Sequence, residues 1–121
     1  MAIQGRCHCG KTRFEIDFVP RTARRCTCTF CTKRGALWAS VPPGQLRLLT
    51  PREDAKAYGR NPLNRHYFCA TCGCGTFSET PDWTAQPFDP NSLQQTINLR
   101  TLDDFDIDAL PVEVIDGRNL W

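Results

Sequence analysis

Apolar and polar residues alternate along several short stretches of this chain. Between Thr12 and Phe18, Phe14 and Ile16 are separated by charged residues, so one face of the segment is apolar and the other is polar. This period of two is typical of a β-strand with one buried face. Similar alternation, or a short apolar run, predicts further strands at 36–41, 45–48, 64–69, 76–79 and 94–100.

Helix-forming segments are scarce, and turn residues interrupt the chain throughout. Nine prolines and eight glycines separate the predicted strands, and both residue types favour turns. Single helical turns are predicted at 54–58 and 102–105, and 81–90 is predicted to be a loop. The sequence therefore predicts a mainly β fold of small antiparallel sheets with little helix.

The length of the chain limits the core that this fold can bury. A chain of 121 residues is typical of one domain, which we expect to span 1–121. A domain of this size buries about two-thirds of its unfolded surface, and its hydrophobic content of 40% includes the cysteines. Bound metal is therefore expected to contribute to stability.

Seven of the eight cysteines form three groups with short spacing. The groups are Cys7-x-Cys9, Cys26-x-Cys28-x-x-Cys31 and Cys69-x-x-Cys72. Thiolates at such spacing bind zinc, and four of them complete a tetrahedral structural site. The two pairs supply four ligands, whereas the triplet supplies three and leaves one position open. Because open positions are typical of catalytic zinc, we predict one structural zinc and a second, open one.

Each pair has a geometry that would allow its two sulfurs to share a metal. If Cys7 and Cys9 lie on an extended strand, their side chains point to the same face. In Cys69-x-x-Cys72 the sulfurs would converge across a turn, for which Gly73 supplies backbone freedom. The first metal would then join the start of the chain to its middle.

Disulfides and iron–sulfur clusters are alternative uses of these cysteines. Disulfides form in oxidising compartments, yet the first residues lack the apolar region of an export signal. No stretch approaches the roughly 18 apolar residues of a membrane span. We therefore expect a cytoplasmic protein without membrane contact that binds two Zn²⁺ per chain. Iron–sulfur ligation stays open for an all-cysteine set, although its usual spacings are absent.

Metal binding would also change the net charge. The formal charge is +2; seven thiolates add seven negative charges and two Zn²⁺ add four positive ones, which gives −1. A nearly neutral protein has little long-range attraction for nucleic acid. A nucleic-acid partner is therefore not expected.

The cysteine groups and their flanking residues resemble a known family. The matching segments are 5–14, 26–31, 66–73, 97–99 and 116–118. They are similar to the glutathione-dependent formaldehyde-activating enzyme (GFA) family, which also includes the zinc domain of centromere protein V. The resemblance covers nearly the whole chain, and three ordered cysteine motifs with these flanks are far more specific than one C-x-x-C.

The resemblance implies a fold, a division of the metal sites and a reaction. The fold is a β-tent of small antiparallel sheets around zinc. The cysteine pairs would hold the structural zinc, and Cys26, Cys28 and Cys31 would hold the catalytic one. The activity joins formaldehyde to glutathione as S-hydroxymethylglutathione, which is a carbon–sulfur lyase reaction in reverse.

The charge of the triplet favours a thiol substrate over water. Three thiolates and one Zn²⁺ sum to a net charge of about −1, so this zinc should lower the pKa of bound water less than a three-histidine zinc does. A soft thiol suits a sulfur-rich zinc and can react there as a thiolate. Glutathione meets this requirement, as would another thiol.

Several further residues have two interpretations each. His8 is expected to be a surface residue or a hydrogen-bonding partner near the metal, and His66 a packing residue or a proton carrier. Cys74 is expected to be a thiol outside both sites, although as a fourth ligand it would close the second one. Cations beside the triplet are either solvated or attract the carboxylates of glutathione. These cations are Arg24, Arg25, Lys33 and Arg34.

Two functions compete for this sequence. The first is a zinc enzyme that acts on a thiol adduct of formaldehyde or a related small aldehyde. The second is a non-catalytic two-zinc module that binds a protein or nucleic acid, which the arginines and the centromere-associated relative favour. The open ligand position and the low net charge favour the enzyme.

Overall fold

The computed structural model describes residues 2–120, which contain ten strands and two short α-helices. The strands are β1 Ile3–Arg6, β2 Arg13–Ile16, β3 Ala23–Cys26, β4 Trp38–Val41, β5 Leu46–Leu48, β6 Ala55–Tyr58, β7 Arg65–Cys69, β8 Gly75–Pro81, β9 Leu93–Asn98 and β10 Val112–Ile115. The helices are α1 Thr29–Arg34 and α2 Gly117–Leu120, and 3₁₀ turns lie at Arg52–Asp54, Leu99–Thr101 and Ile107–Ala109. The predicted mainly β class is confirmed. No helix in the described residues is long and apolar enough to cross a bilayer.

The strands pair into two sheets. Strands β1, β2 and β5 form an antiparallel sheet in the order β1-β2-β5. The other seven form a sheet in the order β10-β3-β4-β9-β8-β7-β6. Its neighbours are antiparallel except β10, which runs parallel to β3. The three-stranded sheet is small and antiparallel, as predicted. The seven-stranded sheet is larger than predicted and contains one parallel pair.

Both sheets contribute to one hydrophobic core. Phe14 and Ile16 of β2 are fully buried, as their alternation with charged residues predicts. They form a cluster with apolar residues of the larger sheet, among them Ala39, Phe77 and Ile97. The two sheets thus share the apolar surface that neither could bury alone.

The face of the larger sheet opposite this core carries polar and metal-binding residue types. In β8, Ser78 follows a core residue and therefore points to the opposite face, where its register partner on β7 is His66. In β3, Arg24 pairs with Trp38 of β4, and Cys26 lies two residues further along the same strand. The candidate site described below lies on this face.

The helical turn predicted at 54–58 is wrong for most of its length. A 3₁₀ turn ends at Asp54, and 55–58 forms β6, which pairs with β7 from Ala55–Cys69 to Tyr58–His66. Pairing with a neighbouring strand overrides the weak helix preference of the Ala and Lys residues in this segment.

The second predicted helical turn, at 102–105, is also wrong. The 3₁₀ turn lies three residues earlier, because the Asn98 side chain accepts a hydrogen bond from the Arg100 N–H (3.2 Å) and caps it. For the same reason the strand predicted at 94–100 ends at Asn98. The predicted loop 81–90 lies between β8 and β9, apart from Pro81, which ends β8.

Position 5 of β1 must be a glycine, because the core residue Phe14 packs directly against it. Its register partner is Phe14, and a Cβ at position 5 would lie 2.5 Å from the end of that ring. Gly5→Ala should therefore displace the ring and lower the free energy of unfolding by about 1–3 kcal/mol in a urea titration. The exposed neighbour Gln4 provides the control, since Gln4→Ala should change it by less than about 0.5 kcal/mol. Equal effects would contradict this packing argument.

Candidate metal centres

The first group of cysteines joins two segments that are distant in sequence. Cys7 and Cys9 follow β1, Cys69 ends β7, and Cys72 lies in the turn before β8. Their four sulfurs all lie within 4.8 Å of one another, with separations of 3.7 Å between Cys7 and Cys9 and 3.5 Å between Cys9 and Cys69. A Zn–S bond of about 2.3 Å sets the sulfurs of a tetrahedral site about 3.8 Å apart. The group therefore has the donors and dimensions to hold zinc.

Backbone N–H groups point at the sulfurs of this first group. Thr12 N donates to Cys7 Sγ at 3.4 Å, and Thr71 N and Cys72 N donate to Cys69 Sγ at 3.4 and 3.5 Å. Hydrogen bonds of this kind favour the charged form of an acceptor. The backbone N–H groups of Cys74 and Cys9 likewise lower the pKa of Cys72 to about 5.

The Cys7–Cys9 pair lies in a turn and not on an extended strand as predicted. β1 ends at Arg6, and the N–H of Gly10 then donates to the carbonyl of Cys7 at 3.2 Å. The second pair has a matching turn, in which the Gly73 N–H donates to the Cys69 carbonyl at 2.9 Å. Both glycines have a φ of +81°, which only glycine adopts without strain. Two similar turns thus aim two sulfurs each at one point.

Cys74 lies beside the first group without joining either group. Its carbonyl accepts a hydrogen bond from the N–H of Cys69 at 3.0 Å, and its side chain is half-buried. Its sulfur belongs to neither set of cysteines whose sulfurs converge. The structure therefore does not bring Cys74 to the triplet as a fourth ligand.

The second group consists of the triplet, which spans the end of β3 and the start of α1. The sulfurs of Cys26, Cys28 and Cys31 lie within 4.8 Å of one another, and no other potential ligand atom in residues 2–120 joins this set. Cys28 is the N-cap of α1, and its sulfur accepts from the Cys31 N–H at 3.3 Å. Trp38 donates its indole N–H to Cys31 Sγ at 3.4 Å. Three convergent sulfurs can hold a metal and leave one tetrahedral position open.

When no metal is bound, each group contains at least one cysteine with a raised pKa and another with a lowered pKa. Burial raises the pKa of the Cys31 thiol to about 12, so this thiol keeps its proton at neutral pH. In the first group the Lys11 N–H lowers the pKa of Cys9, but burial and the neighbouring sulfurs raise it to about 11, whereas Cys72 has its low pKa and is ionised. A metal that binds either group must therefore displace at least one proton, because the thiolate is the ligand form.

Strand β10 and helix α2 hold Thr27, which lies between Cys26 and Cys28 of the triplet. Thr27 donates its backbone N–H to the Ile115 carbonyl at 2.9 Å, and its hydroxyl oxygen accepts the Arg118 N–H at 3.2 Å. Ile115 is also the register partner of Cys26 in the parallel β10–β3 pair. The second group is therefore fixed from one side by β10 and α2.

Aromatic side chains surround the other side of the second group. The Phe30 ring, which lies inside the triplet segment, stacks on His66 with centroids 4.4 Å apart and on Tyr58 with centroids 5.8 Å apart. The ring of Trp38 lies 6.2 Å from that of His66. The sequence pattern gives no signal for Tyr58, because its strand lies in a segment predicted to be helical.

His66 is neutral at physiological pH. Burial first, and the nearby Arg34 cation second, lower the pKa of His66 to about 4. Its Nδ1 lies 2.8 Å from the hydroxyl of the buried Ser78, which holds the ring in place. Of its two predicted interpretations, a charged proton carrier near pH 7 does not agree with this pKa, whereas the packing role agrees with the stacking.

The four cations beside the triplet differ in their surroundings. Arg24 donates to the Ser40 hydroxyl, and Arg25 and Lys33 are exposed. Arg34 is partly buried. His8 is exposed, as one of its two interpretations expects.

A known protein family matches the part of the chain that contains both cysteine groups. The sequence model of the glutathione-dependent formaldehyde-activating enzyme family matches residues 2–106, which include all seven convergent cysteines. The chain belongs to this family. Strand β10 and helix α2 lie beyond the matched segment of the GFA family.

A solved structure has a similar fold over nearly the whole chain. A crystal structure of a Rhodobacter sphaeroides protein, determined in a structural genomics programme, is 28% identical in sequence with a TM-score of 0.71. The match covers 91% of this GFA family chain and 99% of that one. The two chains therefore align over most of their lengths.

The low pKa of His66 can be tested by NMR. As the pH falls from 8 to 5, the imidazole carbon signals of His66 should stay constant, because protonation occurs only as the pH falls through about 4. His8 is the only other histidine in the chain, so a His8→Asn variant assigns the two sets of signals. A midpoint for His66 above pH 6 would contradict its described burial.

Proposed function

We propose that this protein is a zinc-dependent enzyme that combines a thiol with formaldehyde or a related small aldehyde, and that glutathione is the thiol. In the opposite direction the reaction is that of a carbon–sulfur lyase. The observation that carries this proposal is the three-sulfur group without a fourth protein ligand in residues 2–120, in a chain of the GFA family.

The two cysteine groups have different roles in this proposal. Cys7, Cys9, Cys69 and Cys72 hold a structural zinc, for which they supply the full tetrahedral set. Cys26, Cys28 and Cys31 hold the second zinc. When bound there, zinc supplies an open, sulfur-rich coordination position that favours a soft thiolate over water.

The chemical change requires one bond and one proton transfer. The sulfur of the thiolate forms a bond to the carbon of formaldehyde, and the π-electron pair of the carbonyl moves to its oxygen. That oxygen takes up a proton equivalent to the one lost by the thiol, so the product is an S-hydroxymethyl thioether and no redox partner is needed. The lyase direction breaks the same C–S bond, re-forms the carbonyl of formaldehyde and returns the hydroxyl proton to the thiol sulfur.

Residues around the second group support this chemistry by position. The Trp38 N–H holds the sulfur of Cys31, and the Phe30 ring, inside the triplet segment, stacks on His66 and Tyr58. His66 is neutral and bonded through Nδ1 to Ser78. With a pKa of about 4, His66 is a weak base at neutral pH, so its role in this proposal is to pack against the aromatic rings of Phe30 and Trp38.

The non-catalytic module is the competing function. Its support is the basic character around the second group, of which Arg25 and Lys33 are the exposed members. Two exposed cations are few for a surface that binds nucleic acid through many phosphate contacts. We therefore favour the enzyme, and we assign it to the cytoplasm, where reduced thiols are abundant.

Zinc content and thermal melting test the roles of the two groups. Cys69→Ser should abolish the cooperative unfolding transition, because structural zinc contributes about 10–16 kcal/mol of apparent binding free energy in small zinc domains. Cys28→Ser should stay folded and retain about one zinc per chain. Cys74→Ser is the matched control and should retain two zincs. Similar melting of the Cys69→Ser and Cys28→Ser variants would contradict the division of roles.

Cobalt substitution tests the function itself. With Co²⁺ in place of zinc, saturating glutathione should change the absorption spectrum as sulfur replaces oxygen at the open position. Cys28→Ser should lose this change and Cys74→Ser should keep it. With zinc restored, NMR should detect the S-hydroxymethyl adduct forming faster than in buffer at equal concentrations. An unchanged cobalt spectrum together with a salt-dependent shift of DNA in a gel would favour the non-catalytic module.

A further inference from the structure

Arg34 lies at the end of α1, directly beside the second group. Its guanidinium carbon lies 5.0 Å from the centre of the Phe30 ring and 5.4 Å from that of Phe68. A Cβ at position 75 would lie 2.9 Å from Nε of Arg34, so Gly75 leaves the room that the guanidinium occupies. The side chain is thus held in one place by two aromatic rings and a glycine.

The guanidinium lacks a partner in the part of the chain that the structure describes. Its NH1 atom is buried and has no hydrogen-bond partner in residues 2–120. The salt bridges of these residues use Arg6, Arg47 and Arg52 instead. Native structures pair nearly all buried donors, because an unpaired one keeps its full cost of desolvation. A partly buried cation whose buried NH1 donor is unpaired, next to an open metal group, indicates a missing ligand.

The surroundings of Arg34 indicate which kind of ligand fits. A bridging water needs two to four polar partners, yet aromatic rings border this site and the Gly75 carbonyl already accepts from Asn98 Nδ2 at 2.9 Å. No cysteine sulfur accepts a hydrogen bond from NH1. A planar guanidinium matches a carboxylate, to which it donates two parallel hydrogen bonds. Arg34 keeps partial exposure, so the site is not sealed from solvent.

We propose that Arg34 binds a carboxylate of the thiol substrate and so restricts the enzyme to anionic thiols. This inference rests on the proposed function, in which the thiol sulfur occupies the open position of the second group. One substrate then makes two contacts, its sulfur at the triplet and its carboxylate at Arg34. Neutral thiols make only the first contact and bind more weakly.

A titration of the cobalt-substituted protein with two matched thiols tests this proposal. Glutathione and its diethyl ester have the same thiol, but the ester has no ionised carboxylate. The wild-type protein should bind glutathione about tenfold more tightly than the ester, the factor expected for one hydrogen bond to a charged group. The anionic triplet alone would favour the ester, which carries more positive charge. A preference for glutathione therefore reports a cation in the site.

Variants then assign that preference to Arg34. Arg34→Met should bind glutathione about tenfold more weakly and bind the ester as the wild type does. Lys33→Met removes the neighbouring exposed cation of the same helix end and should keep the preference. Gly75→Ala leaves Arg34 in the chain but displaces its guanidinium, and it should reduce the preference in the same direction. If Arg34→Met fails to fold, the Gly75→Ala variant still tests whether the position of the Arg34 guanidinium determines the preference.

Two other outcomes would overturn the proposal in different ways. If both thiols change the cobalt spectrum with equal affinity, or if Arg34→Met and Gly75→Ala keep the preference, the carboxylate contact is absent while the proposed function stands. If neither thiol changes the spectrum, the open position does not bind thiols and both proposals fail.

Discussion

The convergence of four sulfurs from two distant segments is the constraint on which this structure depends. The turn after β1 and the turn between β7 and β8 bring these sulfurs within 4.8 Å, although Cys9 and Cys69 are 60 residues apart. Ionised thiolates at such distances repel one another strongly unless a cation lies between them. The same four residues join the smaller sheet to the larger one. A cation bound at this point would therefore add a second link between two sheets that already share one hydrophobic core.

The second group depends on the fold in another way. Its ligands lie within six residues, so chain geometry alone brings them together once β3 and α1 form. What the fold adds is the environment, because Trp38 comes from β4 and His66 from β7. The group lies on the face of the larger sheet that does not pack in the core. The core can therefore stay apolar while the opposite face carries polar and aromatic residues.

Features that depend on neighbouring residues can be predicted from this sequence, whereas features that depend on contacts between distant residues cannot. The short cysteine spacings and the alternation of β2 depend on neighbouring residues only, and both can be read directly. The strand β3 has two arginines among its four residues and pairs with β10 from the far end of the chain, so no local pattern predicts it. Lys33 and Arg34 are equivalent in the sequence, and only the approach of Phe68 and Gly75 distinguishes them. The neutral state of His66 likewise follows from burial by distant residues.

The parallel strand at the end of the chain has a consequence for the order of folding. All seven convergent cysteines precede residue 73, whereas the residues that fix Thr27 lie in β10 and α2. A chain made on the ribosome from its N-terminus exposes both cysteine groups before that last strand exists. The second group therefore passes through a period in which its sulfurs are present but its backbone is unsecured. Completion of this centre therefore waits for β10 and α2, even though its ligands are made early.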